Sequence, residues 1–294
     1  MPRFIKVFTW LALAGVLLLT AALGHAFWQN NREVAPPQRG EVEAAFRRAV
    51  DWLHRNRQTV MNNHNTALWW MLKESADINP DASLQGFYQD YKKQVLDRRP
   101  PNIWTPYFRP GYRPYVPDIV EMQKLHPYQL FLVYGLSCDR DLGSEPVIQQ
   151  QLDAGFCENH FLHPRCVTHQ LMAVRLLQKR DCGEHEALAR ELLDIIETEI
   201  TWDFRVTDSY LQRALMLVES RGKAALRPVW LRRILDAQLD DGGWADFHPL
   251  LSLASWQLGW TSTYPGTGPR AADFHATAQG IWLMALLLDE GDAN

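Results

Sequence analysis

The chain has 294 residues and an apolar fraction of 47%, enough for one sizeable folded domain with an anchor and connectors, and this excludes global disorder. The formal net charge is −4, with acids and bases interspersed. No basic block or aromatic-basic stripe is present, which argues against a nucleic-acid partner. The N-terminus carries Arg3 and Lys6, then runs from Val7 to Phe27 with only Thr9, Thr20 and His25 as polar residues. That length is close to a bilayer span, and the flanking charges favour a cytoplasmic N-terminus. Trp10 and Trp28 suit the two interfaces. Residues 1–28 therefore read as a signal anchor, or transmembrane helix, in a bacterial-type inner membrane, 29–40 as a tether, and 41–294 as a periplasmic domain. Small residues at Ala22-Leu-Gly24 and Gly24-His-Ala26 leave a cleaved signal peptide and a secreted product as the alternative.

Beyond the tether the pattern is all-α. Polar-faced helices are expected at Val42–Asn56, Leu84–Leu96, Pro146–Leu152, Leu188–Thr198 and Val229–Leu239. Each is followed by a more apolar helix. These second helices begin at His64-Asn-Thr-Ala67, His126-Pro-Tyr-Gln129, Cys166-Val-Thr-His169, Arg205-Val-Thr-Asp208 and His275-Ala-Thr-Ala278. Four of the five carry Thr third, which suits a helix cap. Polar outer and apolar inner helices predict an α/α toroid or arc of about five hairpins. The connections Arg98–Asp118 and Ala245–Arg270 are long enough to carry function.

Two segments share a string. Gln151-Leu-Asp-Ala-Gly155-Phe-Cys157 matches Gln238-Leu-Asp-Asp-Gly242-Gly-Trp244. Gln238, Gly242 and Trp244 resemble the Gln-x3-Gly-x-Trp repeat of terpenoid cyclases. Asp241-Gly-Gly-Trp244 followed by Asp273-Phe-His-Ala-Thr277 is similar to the last repeat of protein prenyltransferase β subunits. Both families are α/α toroids, so the resemblance implies that fold. It does not carry the chemistry: the chain has neither the cyclases' Asp-x-Asp-Asp acid motif nor the Asp-x-Cys pair that joins a histidine like His275 at the prenyltransferase zinc. Asp240-Asp241 reads as part of the turn.

All four cysteines lie in the exported part, where an even number implies two disulfides. A helix from Cys166 to Arg180 would hold Cys166 and Cys182 roughly 20 Å apart at 1.5 Å per residue, too far to bond. Antiparallel hairpin geometry instead predicts Cys157–Cys166 and Cys138–Cys182. No cofactor is implied, although Cys157, His160, His163, Cys166 and His169 recur every third residue and keep a zinc site open as an alternative.

If the inner helices run parallel, their N-termini open onto one mouth that favours an anion. His64, His126, Arg205 and His275 align there, with His169 and Asp208 one position past their threonines. Trp69, Trp70, Tyr210 and Trp282 would form an inner wall able to stack on a sugar or enclose a lipid. The expected function is binding of an envelope lipid, glycan, anionic ligand or protein. The alternative is an envelope-polymer lyase or hydrolase with His64, Arg205, Tyr210 and His275 as catalytic candidates. A zinc-dependent enzyme built on His275 with His64 or His169 is a third reading.

Overall fold

The computed structural model describes residues 3–116, 122, 124–160, 165–253 and 256–291. The first helix, α1 (Arg3–Asn31), is long and apolar enough to cross a membrane, and its apolar residues from Phe8 to Leu23 stand exposed. The next elements are α2 (Arg39–Arg55), α3 (Arg57–Met61), α4 (Thr66–Ile78) and α5 (Ala82–Tyr91), the last continued by a π turn. A 3-10 turn at Thr105–Tyr107 precedes α6 (Pro127–Ser137), α7 (Arg140–Ser144) and α8 (Pro146–Gln149). Then come α9 (Cys166–Lys179), α10 (Glu186–Trp202), α11 (Asp208–Arg221) and α12 (Pro228–Asp236). Strands β1 (His248–Leu253), β2 (Trp256–Trp260) and β3 (Pro265–Thr267) precede the last helix, α13 (Phe274–Leu288).

Two kinds of helix follow from two patterns of apolar residues. In α2 the buried side chains are Val42, Ala45, Phe46, Ala49, Val50, Trp52 and Leu53, one stripe at helical spacing with a solvated opposite face. In α11 every residue from Asp208 to Val218 is buried, and in α13 nearly all are from Phe274 to Ala285. Helices buried all round belong inside. Accordingly α13 packs between α4 and α11, α11 touches α9, and α9 lies along α6. The polar-faced α2 and α10 cover α13 and α9 from outside.

The shared string does structural work at both copies. The Gln238 amide donates to the carbonyls of Ala45 and Gly242, each at 2.8 Å, tying the turn after α12 to α2. Gly242 has φ 86°, where a Cβ would be strained and would strike the Arg48 carbonyl. Trp244 is buried, donates to the Ile234 carbonyl at 2.8 Å and lies flat against Gly280 of α13. Asp241 accepts from Trp52 Nε1 at 3.2 Å, as a turn residue does. In the degenerate copy the Gln151 amide donates to Pro127 and Val147 carbonyls, and Cys157 stands in the Trp position, bonded to Cys166. Cys138 bonds to Cys182. Both pairings match the hairpin expectation.

Three expectations change. First, the fold is not purely helical: within Ala245–Arg270 a three-stranded antiparallel sheet forms, ordered β1-β2-β3. Its signal is a period of two within each strand, at Leu251 and Leu253 and again at Trp256, Leu258 and Trp260, amid turn residues. Second, the helix-start threonines are not caps. The side chains of Asn65, His126 and Asp273 cap α4, α6 and α13, while Thr207 precedes α11 without a cap bond. Third, the 29–40 segment is non-helical only over 32–38. Asn30, within α1, is fully buried. Its amide donates to the Ile200 and Thr201 carbonyls, and its carbonyl oxygen accepts from Tyr210 Oη at 2.7 Å and Arg233 Nη1 at 2.5 Å. Trp230 Nε1 donates to the Asn30 backbone carbonyl at 3.1 Å. The end of α1 is thus part of the domain's core.

Candidate functional site

A cavity of about 760 Å³ lies where the starts of α4, α6, α9 and α13 meet, with Gln212 of α11 behind them. His64, His126, His169 and His275 all line it, as do Tyr128 and Arg165. Four of the aligned helix starts therefore share one opening. His126 caps α6 through Nδ1 to the Tyr128 amide, and the rings of His126, Tyr128 and His169 follow one another at 4.4 and 4.5 Å. Arg99 Nη2 reaches within 3.5 Å of His64 Nδ1.

The chemistry concentrates at His275. Its Nδ1 lies 2.8 Å from Oδ2 of Asp208, a carboxylate whose side chain is 1% exposed. A carboxylate only accepts, so the imidazole proton sits on Nδ1 and the lone pair of the neutral ring is on Nε2. The neighbour of Nε2 among the described residues is the Gln279 amide, at 3.4 Å. Gln279 is fully buried and its Oε1 has no protein partner. Asp273 fixes the base of the arrangement: it caps α13 through the Ala276 amide and also accepts from the Asp246 amide at 2.8 Å. That bond locks the root of the sheet insertion onto the helix bearing His275.

Behind the imidazole stands a second layer. Arg165 Nη2 contacts Asp208 Oδ2 at 3.3 Å, Asp246 Oδ2 at 2.9 Å and Ser262 Oγ at 3.0 Å. Ser262 Oγ lies between Oδ1 of Asp208 and Oδ1 of Asp246. The Ser262 backbone N–H also donates to Asp246 Oδ1, at 3.0 Å. Burial pushes the Asp208 carboxyl up, but the hydrogen bond from His275 and the charge of Arg165 outweigh it and hold Asp208 well below the usual range. Burial and the negative charge of Asp208 push Asp246 up to about 6. Of the two carboxyls, Asp208 is the stronger acid and Asp246 the weaker. His169 is held down to about 4, chiefly by burial, so it stays neutral while its Nδ1–H donates to the Arg165 carbonyl at 2.7 Å.

The remaining candidates lie elsewhere. Arg205 pairs with Asp203 through Nε at 2.8 Å and Nη2 at 3.0 Å, away from the cavity lining. The reason is helix phase: α11 starts at Asp208, so Arg205 falls in the extended lead-in and Asp208 takes the inward place. Tyr210 is fully buried against Asn30 and Arg233. Trp69 stacks on Tyr91 at 3.5 Å, and Trp70 meets Trp282 edge-on at 5.0 Å; all three are core. Arg165, Asp246 and Ser262 were not among the sequence candidates. Their one signal is position, beside a helix start or inside the long insertion. For the zinc alternative, the Cys157–Cys166 bond consumes both thiolates. His163 and the side chain of His160 lie outside the described residues, and no cluster of three or more ligating groups occurs among the described ones. No protein-family model, curated protein or solved structure matches this chain.

Proposed function

We propose that this is an acid–base enzyme of the cell envelope, acting on a polar-headed lipid or glycan held in the cavity. His275 is its proton acceptor and Asp208 the residue that orients it. One observation carries the reading: the 2.8 Å bond from His275 Nδ1 to a buried carboxylate, on a ring whose other nitrogen belongs to a cavity-lining side chain. A carboxylate fixing the tautomer and stabilising the imidazolium is the arrangement that general-base catalysis requires. Arg165 and Ser262 support the Asp208 carboxylate without competing for Nε2. The proton taken by His275 comes from the ligand or from a water attacking it. This reading keeps the lyase or hydrolase alternative but moves its machinery from Arg205 and Tyr210 to Asp208 and Arg165.

The inner-helix succession α6, α9, α11, α13, α4 supports the toroid reading, with α4 and α6 both touching the 3-10 turn at Thr105–Tyr107. It also supports the kinship in architecture with terpenoid cyclases. Placement of the domain in the periplasm rests on the basic flank of α1. A second reading, binding without turnover, draws on the aromatic and imidazole wall of His126, Tyr128 and His169.

The test is to incubate the full chain in detergent with peptidoglycan sacculi and, separately, with a bacterial lipid extract, and to follow products by mass spectrometry. His275→Ala and Asp208→Asn are expected to abolish product formation while thermal unfolding stays cooperative. Product at the parental rate from His275→Ala removes the enzyme reading. Absence of product from the parent, with retention of a lipid or glycan, favours binding alone.

A further inference from the structure

The sheet insertion is unlike the rest of the surface. Residues 249–269 include no Asp, Glu, Lys or Arg. Within them Leu250, Leu251, Trp256 and Leu258 are exposed, at 52%, 48%, 42% and 39%. The register pairs Leu251 with Leu258, and Trp256 lies two residues from Leu258, so these three share one face of the β1–β2 hairpin. Leu250 falls at the irregularity between Pro249 and Leu251, nearer the root, and adds to the exposed apolar surface. Exposed strands are normally guarded by charge. A charge-free apolar hairpin in a folded chain is covered by something.

The position of the hairpin names the cover. The last turn of α1 is bonded to the last turn of α10, at Ile200 and Thr201. That end of α10 leads directly into the start of α11, so α1 meets the domain at the end where the inner helices begin and the cavity opens. The root of the hairpin is there too: His248 Nδ1 accepts from the Val206 amide at 3.3 Å, and Arg233 joins the Phe204 carbonyl to Asn30. Trp202, 65% exposed, stands at the same end with its ring 4.5 Å from Phe27 of α1. Thr263, just past β2, lines the cavity.

We propose that the β1–β2 hairpin dips into the bilayer that α1 crosses, and that Trp202 lies at the headgroup level beside it. Two contacts, α1 and the hairpin, then fix the domain with its cavity mouth against the lipid. Tryptophan at the interface and leucine below it follow the usual partition of these side chains. The buried attachment of Asn30 makes the orientation rigid, and the proposal rests on α1 lying in the membrane. The cavity is then fed from the bilayer, and its ligand is an amphiphile whose polar head is presented in the headgroup layer.

Because all four native cysteines are bonded, an introduced thiol can be labelled selectively. The full chain in lipid nanodiscs is labelled with an environment-sensitive fluorophore at Leu251→Cys, Leu258→Cys, Leu17→Cys or Asp77→Cys. Asp77, exposed near the opposite end of α4, reports the aqueous side. Quenching by a chain-brominated lipid is compared with quenching by aqueous iodide. The expected result is lipid quenching at 251 and 258 comparable to that at 17 and several-fold above that at 77, with iodide quenching reversed. If 17 is lipid-quenched while 251 and 258 behave like 77, the hairpin proposal is overturned and the anchor stands. If 17 itself behaves like 77, the anchor reading fails and the proposal falls with it.

Discussion

Replacing Asn30 by alanine tests whether the end of α1 belongs to the folded core. The carboxamide is fully buried and makes four hydrogen bonds, two to the carbonyls ending α10 and two from Tyr210 and Arg233. Alanine strands the buried Tyr210 hydroxyl, at a cost of about 1–3 kcal/mol, and removes a charged bond from Arg233 worth roughly 1.5–3 kcal/mol. The α10 carbonyls lie at a helix end and regain water, so they add little. Arg233 keeps the Phe204 carbonyl, which reduces its loss. The expected destabilisation is about 3–5 kcal/mol, which for a domain of this size lowers the midpoint by about 10 °C. Thermal unfolding of the full chain in detergent, followed by near-ultraviolet circular dichroism, measures it. Asn31→Ala is the control. Asn31 is only partly buried, and its bonds to Phe27, Thr201 and Arg227 lie near the surface, so about 1 kcal/mol or less is expected. Equal midpoints for the parent and Asn30→Ala would refute the reasoning: α1 would then be a loose tether whose contacts contribute nothing.

Acid sensitivity should trace to buried imidazoles. Burial holds His169 and His248 near 4, so the unfolded chain binds more protons between about pH 6.5 and 4, and stability falls as pH drops through that window. Asp246, raised to about 6, opposes this, because the folded state holds its proton between about pH 6 and 4. Asp273, raised by burial, acts in the same direction as Asp246. His169→Gln removes one of the two imidazoles and should raise the urea midpoint at pH 4.5 relative to that at pH 6.5, compared with the parent; an unchanged difference contradicts the assignment. Gly280→Ala places a methyl 2.5 Å from the Trp244 ring and should cost about 1–3 kcal/mol in urea unfolding, whereas a neutral result would mean that the Trp244 contact yields freely. For the disulfides, loop entropy ranks Cys138–Cys182, 44 residues apart, above Cys157–Cys166, 9 apart, by roughly 4 against about 2.6 kcal/mol. Serine pairs at each bridge should lower the midpoint in that order, and the reverse order would place the stabilisation in native contacts instead.

The helices were legible because their reasons are local. A stripe at positions 42, 45, 46, 49, 50 and 53 states its own period, and an uninterrupted run such as Ile281 to Ala285 states its own burial. The disulfides were legible too, since a helix of known rise separates Cys166 from Cys182 and leaves few partners. The sheet was missed although Leu251 and Leu253, and again Trp256, Leu258 and Trp260, keep a period of two within each strand, because a short strand within a long connection carries a weak signal. The site was half legible. Four histidines aligned by sequence do line one cavity, but the alignment placed Arg205 where a shift of three residues puts Asp208.

The sequence by itself determined the apolar N-terminal helix, the outer and inner helices, the turn strings at Gln151 and Gln238, and the cysteine pairs. Each depends on spacing along the chain. Only tertiary structure decided that Asp208 orients His275, that Arg165, Asp246 and Ser262 stand behind it, and that Asn30 joins α1 to the core. Those partners are separated by tens to hundreds of residues. Whether a carboxylate keeps or loses its proton depends on which charges and how much water surround it in space, and no local pattern records that.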